Sequence, residues 1–186
     1  MNIGFAMCGS FCTFDQIFPV MESLTTKYTL VPIFSDITYI ADTRFGTHQT
    51  HIDRAEKICG NKVLHTIPQV EPIGPQKLLD ALIIAPCTGN TLAKLAHGIA
   101  DTSVTMAAKS HLRNGRPIII AVSTNDALAG AAENIGKLLN KKHYFFVPYT
   151  QDNPKSKPTS MIADFNLLPK TLDAALLGTQ ISPIVL

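Results

Sequence analysis

Among the four cysteines Cys8, Cys12, Cys59 and Cys87, no two stand in a C-x-x-C pair. Neither a disulfide framework nor a zinc site is indicated, no metal is expected, and small reduced packing residues are the ordinary reading. Charge is scarce and nearly balanced: 16% of residues are charged, the net charge is +2, and Lys and Arg form no run. The footprint of a nucleic-acid binder is therefore missing. No apolar run approaches the ~20 residues of a membrane span. The opening Met1-Asn2-Ile3-Gly4-Phe5 lacks the charged and apolar regions of a signal peptide. The expectation is a cytoplasmic protein without membrane or nucleic-acid partners. Internal repeats, low-complexity segments, G-x-G-x-x-G and Walker loops are absent as well.

What is present is enough apolar material for a core. The chain has 186 residues, 46% of them hydrophobic, which suits a single domain over residues 1–186. Short β-branched runs alternate with helical periods, the pattern of a parallel sheet with crossover helices. Nearly continuous apolar runs predict strands at Asn2–Met7, Thr29–Phe34, Ala81–Ala85, Ile118–Val122 and Tyr144–Val147, each buried on both faces. Phe14, Ile17, Phe18, Met21 and Leu24 recur at i, i+3, i+4, i+7 spacing and predict a helix lying on that sheet. Leu92, Leu95, Ala96 and Ile99 mark another, Ile135, Leu138 and Leu139 a third, and Leu168, Leu172, Ala175 and Leu176 a last one. Three layers, α/β/α, follow. Two stretches, Ser35–Thr50 and Pro148–Ser160, show no regular period, and the second, polar and Pro-bearing, reads as a lid loop over residues 148–160.

Ligands of open parallel sheets bind beyond the carboxyl ends of the strands, where the strand order reverses. Three loops follow such ends: Cys8-Gly9-Ser10-Phe11-Cys12-Thr13, Pro86-Cys87-Thr88-Gly89-Asn90-Thr91, and Ser123-Thr124-Asn125-Asp126. Each combines hydroxyls or amides with the start of a helix, where backbone N–H groups and the dipole favour an anion. Each is also compatible with simple helix capping, by Ser10 or Thr13 in the first loop. Together they suit a phosphorylated compound with a flat apolar ring, such as flavin mononucleotide, FMN. A different nucleotide fits the same pattern.

Cys8, Cys12 and Cys87 fall in these loops, yet spacing brings no histidine beside them, and packing is the weightier reading. His48 and His51 stand three apart but lack a third ligand, so solvent-facing or capping roles are expected for them.

The segment Pro86-Cys87-Thr88-Gly89-Asn90-Thr91-Leu92-Ala93-Lys94-Leu95-Ala96-His97-Gly98-Ile99-Ala100-Asp101 resembles the central motif of the flavoprotein superfamily, which includes flavin-dependent cysteine decarboxylases and flavin prenyltransferases. Gly9–Asp15, Asp42–Gly46, Glu71–Pro75, Met106–Lys109, Ser123–Leu128 and Val147–Asp152 extend the likeness along the whole chain. The resemblance implies a flavodoxin-like (Rossmann-like) doubly wound sheet. It also implies that Gly9, Ser10 and Ser35 bind the FMN phosphate, while Thr88, Gly89, Asn90 and Thr91, with Ser123, Thr124 and Asn125, face the ring or ribityl chain.

Departures narrow the chemistry. Pro72 stands where the decarboxylases carry a catalytic histidine, and of their Pro-x-Met-Asn segment only Asn125 remains. Met106 and Ser123-Thr124 replace cationic groups of the prenyltransferases, so an allylic phosphate lacks its partners. The branch that shares these departures implies an oxidoreductase subunit that helps convert a dihydropyridine dicarboxylate into the pyridine dicarboxylate of bacterial spores. Its partner would be a subunit resembling an NAD(P)-dependent Rossmann protein. A small dicarboxylate needs cations, for which Arg44, Lys155 and Lys157 are candidates against the alternative of solvated surface charge. Asp126 is a conceivable base. A homo-oligomer, trimer or dodecamer, is implied by the same likeness.

Overall fold

The computed structural model describes residues 1–186. In chain order the elements are β1 (Asn2–Met7), α1 (Phe14–Leu24), β2 (Thr29–Phe34), α2 (Asp36–Ile40), α3 (His48–Cys59), α4 (Ile67–Val70), β3 (Ala81–Cys87), α5 (Gly89–His97), α6 (Ser103–Leu112), β4 (Ile118–Thr124), α7 (Ala132–Leu139), β5 (Tyr144–Phe146), β6 (Tyr149–Asn153), β7 (Lys157–Ala163) and α8 (Leu168–Leu176). The five strands expected from apolar runs lie parallel in the order β2-β1-β3-β4-β5, and β7 and β6 add antiparallel to the far end of β4. β4 thus has two neighbours along one edge: Ile118 faces Tyr144 of β5, and Ser123 faces Ile162 of β7. The order reverses between β1 and β3, which makes the carboxyl ends of those two strands the switch point of a flavodoxin-like sheet.

All seven residues of β3 are buried, because helices cover both faces of the sheet. α1 contacts both α3 and α8 on one side, and α5 packs with α6 and α7 on the other. The stripe Phe14, Ile17, Phe18, Met21 and Leu24 is buried, as the spacing predicts. No helix is long and apolar enough to cross a membrane.

Three local expectations need correction, and one helix was not foreseen. Ser35–Thr50 is not irregular: it holds α2 and the start of α3, whose N-cap Thr47 accepts the Thr50 N–H at 3.2 Å. Pro148–Ser160 is not a loop, because β6 and β7 pair there as a hairpin in which Thr150 faces Ile162. Ile99 lies outside α5 and is 49% exposed, since Gly98 at φ 71° ends the helix. Finally, α6 carried no apolar stripe to detect. Its buried residues are Ser103, Val104, Thr105, Ala107, Ala108, Ser110 and His111, mostly small or polar side chains rather than a large apolar stripe.

Candidate functional site

β1, β3 and β4 stop at the same rim, and the turn after each delivers hydroxyls to it. The first turn is held by Thr13, whose hydroxyl donates to the Ser10 carbonyl at 2.8 Å. At the second, Thr88 caps α5 through the Thr91 N–H, and the two threonine hydroxyls lie 3.1 Å apart. The Thr91 hydroxyl donates to Cys8 Sγ at 3.3 Å, tying the second turn to the first. Ser10 Oγ and Ser123 Oγ meet at 2.8 Å across 113 residues of chain, which joins the first turn to the third. Gly89 brings the second against the third: a Cβ there would stand 2.7 Å from Asp126 Oδ1 and 2.8 Å from Thr124 Oγ1.

Two cavities open on this rim. The larger, about 370 Å³, is lined by Gly9, Ser10, Thr88, Ser123, Thr124 and Asn125, with Asp152, Lys157 and Met161 contributed by the hairpin. The smaller, about 190 Å³, is lined by Gly9, Ser35, Thr88, Asn90, Thr91 and Lys94. Gly9 and Thr88 belong to both, so one elongated molecule touching them can reach into each. Ser35 enters as the N-cap of α2, its hydroxyl 2.9 Å from that of Thr38.

The hairpin is anchored to the third turn. Thr159 donates to the Asn125 carbonyl at 2.6 Å, and the Ser160 hydroxyl donates to Asn125 Oδ1 at 3.3 Å. Lys157 Nζ pairs with Asp152 Oδ2 at 2.7 Å at the cavity wall, and the carboxylate holds the lysine's pKa above its ordinary value. The other two candidate cations lie elsewhere. Arg44 stacks over the Phe45 ring in an exposed turn, and Lys155 sits at the exposed hairpin tip; neither lines either cavity. Asp126 is exposed and lines neither cavity; it accepts from the Thr124 hydroxyl.

The cysteines divide by burial. Cys8 and Cys87 are buried, and desolvation pushes the Cys8 thiol up to about 11 and the Cys87 thiol well up too, so neither supplies a thiolate at neutral pH. Cys12 is exposed and lines the larger cavity. His51 corrects its expectation: it is 5% exposed, with Phe14 edge-on at 4.8 Å between ring centroids and Phe18 stacked at 6.2 Å. Spacing from His48 could not reveal this, because the burial comes from α1. His48 does not cap α3 but opens it after Thr47, its ring and its backbone N–H both bonded to Asp42 Oδ1, at 2.7 and 2.9 Å. Sequence reasoning passed over Gln16, Asp152, Ser160 and Met161, three of which reach the cavity only because the supposed loop is a hairpin.

A flavoprotein family model matches residues 1–165, and the chain belongs to the flavoprotein family. Within it, the chain is 40% identical over 185 residues to the B-type subunit of dipicolinate synthase from Bacillus subtilis (strain 168), covering 99% of this chain and 92% of that protein. The crystal structure of the same B-type subunit from Bacillus halodurans superposes with a TM-score of 0.91 at 38% identity, covering 100% of this chain and 95% of that one. An FMN-dependent cysteine decarboxylase, SpaF, shares the fold at a TM-score of 0.69 and 20% identity, over 94% of this chain and 97% of its own.

Proposed function

We propose that this chain is a flavin-binding B-type subunit of dipicolinate synthase, acting with the A-type subunit of that enzyme to oxidise dihydrodipicolinate to dipicolinate during sporulation. The observation that carries the reading is the pair of cavities sharing Gly9 and Thr88 at the β1/β3 switch point. Likeness along the whole chain to two proteins of that name supports it.

The donor set fits FMN. The backbone N–H groups of Gly9 and Asn125 have no acceptor within the chain, and hydroxyls from Ser10, Ser35, Thr88 and Ser123 surround them. In this reading Gly9, Ser10 and Ser35 hold the phosphate, and Lys94, paired with Asp101 at 2.8 Å, stands beside them. Thr88, Gly89, Asn90, Thr91, Thr124 and Asn125 meet the polar edges of the ring and ribityl chain, while Met161 and Ile162 wall the apolar face. Bound flavin supplies an acceptor for the hydride that leaves the dihydropyridine. Lys157 meets one substrate carboxylate by exchanging its bond to Asp152. Asp126, reached through the Thr124 hydroxyl, is the base proposed for the accompanying proton. The A-type subunit carries the NAD(P) chemistry, the small dicarboxylate is the shared substrate, and the chain assembles with its own copies as a trimer or dodecamer in the mother-cell cytoplasm.

Spectroscopy of the purified chain tests the first half: oxidised flavin colours the protein yellow, and a colourless protein that takes up no added FMN overturns flavin binding. The second half is tested by mixing the chain with the A-type subunit, dihydrodipicolinate and a nicotinamide cofactor while following pyridine absorbance. Full rate from that companion on its own would remove any catalytic duty from this chain.

A second reading is a non-catalytic flavin- or dipicolinate-binding partner that stabilises the A-type subunit. Two residues favour it: Pro72, in the turn Glu71–Ile73, and Met106 of α6 provide no titratable group. The lysine of the larger cavity is also already neutralised by Asp152. Under this reading the companion turns over unaided, and the chain raises only its melting temperature.

A further inference from the structure

At the opposite rim of the sheet lies a groove that the flavin reading leaves unused. It is formed where α5 ends, where α6 runs into the turn before β4, and where the α7–β5 connection begins β5 at Tyr144. Its volume is about 450 Å³, within the range of small-molecule sites. Leu95, Ile99, Leu112 and Tyr144 form an apolar floor, and Lys109, Arg113, Lys141 and Lys142 stand around it, with no acidic residue in the lining.

This concentration of charge is not what the rest of the surface shows. Of the 16 Lys and Arg residues, seven have a carboxylate partner: Lys27, Arg54, Lys62, Lys94, Arg116, Lys137 and Lys157. Four of the remaining nine meet in this groove. Lys141 is fixed there at the end of α5, donating to the Leu95 carbonyl at 3.3 Å, which also accepts the Gly98 N–H, and to the Ala96 carbonyl at 2.7 Å. Lys109 and Arg113 are four residues apart where α6 ends, a like-charge spacing that costs stability unless an anion offsets it. Ile99, 49% exposed, is outside the buried core and belongs to this floor.

The cations come from two stretches of chain, Lys109 in α6 with Arg113 at its C-cap, and Lys141 and Lys142 in the α7–β5 connection. A single acidic group satisfies one pair; an apolar body with acidic groups at two ends satisfies both and covers the floor. We propose that this groove is a second ligand site for a small dianion with an apolar body, an aromatic dicarboxylate being its simplest form. It is separate from the flavin cavities and does not depend on the function proposed for them.

Titration calorimetry of the full-length protein with benzene-1,3-dicarboxylate tests the proposal, alongside an Arg113→Ala/Lys142→Ala variant. Both residues are exposed, so the variant should melt as the parent does. Removing two charge-assisted contacts should weaken binding about tenfold or more, and benzoate should bind the parent more weakly than the dicarboxylate. Conservative Arg113→Lys should recover part of the affinity. Equal binding by parent and variant overturns the proposal, as does no binding to the parent. Inorganic phosphate binding as tightly as the dicarboxylate would mean a bare charge patch, with no use for the floor. Dissociation of an oligomer by the variant, with the titration unchanged, would make the groove a contact between copies and equally overturn it.

Discussion

At the scale of single residues, hydroxyls outnumber ionised groups at the candidate site, and the Lys157–Asp152 pair of the larger cavity is informative. If Lys157 receives a substrate carboxylate, Lys157→Ala should raise KM for dihydrodipicolinate about tenfold and leave the flavin spectrum unchanged; steady-state kinetics in the presence of the companion protein reads this. The buried histidines set a different property. Burial lowers the His111 pKa from 6.5 to about 4, and His51 shifts in the same direction for the same reason. Both are neutral in the fold, so the unfolded chain takes up the protons first as pH falls. Their contribution is intact above pH 6.5 and is lost as pH falls towards 4. For His111 the loss is on the order of 3 kcal/mol. Urea midpoints should drop across that window, and His111→Gln, which keeps a donor for the Pro117 carbonyl now 3.1 Å from Nε2, should flatten the drop.

Between elements, two glycines separate stability from function. A Cβ on Gly74 would lie 2.5 Å from the Ser110 carbonyl oxygen, and backbone inside α6 cannot step aside. Gly74→Ala should therefore cost about 1–3 kcal/mol in denaturant titrations. At Gly89 the obstructing atoms are the ends of the Asp126 and Thr124 side chains, which can rotate. Gly89→Ala should change stability by less than about 1 kcal/mol yet weaken flavin binding, because α5 would then displace a hydroxyl of the rim; a fluorescence titration with FMN would detect it. The helices that sequence periodicity located, α1, α5, α7 and α8, each bury large apolar residues at helical spacing. α6 escaped because its buried face is small and partly polar, with Ser103 donating to the Phe34 carbonyl at 2.6 Å.

Across the whole molecule, the centre of the sheet and its hairpin form two regimes. β1, β3 and β4 are almost wholly buried, whereas residues 153–158 of the hairpin are all exposed. Amide exchange should be slowest in those three strands, approaching global unfolding, and fastest at the hairpin tip. Added FMN should slow exchange in the Gly9, Thr88 and Asn125 turns before it affects the strands.

The amino-acid sequence by itself determined the five parallel strands, most of the helices and the three polar turns, because apolar runs and 3.6-residue periods depend only on near neighbours in the chain. It also carried the family, through the segment from Pro86 to Asp101. Only the tertiary structure decided that Ser10 touches Ser123, that His51 is wrapped by α1, and that residues 149–163 pair as a hairpin and bring Asp152, Lys157 and Met161 to the cavity. Polar residues carry little local signal of their own. Where they end up depends on strand pairing between distant segments, and that is settled when the core closes.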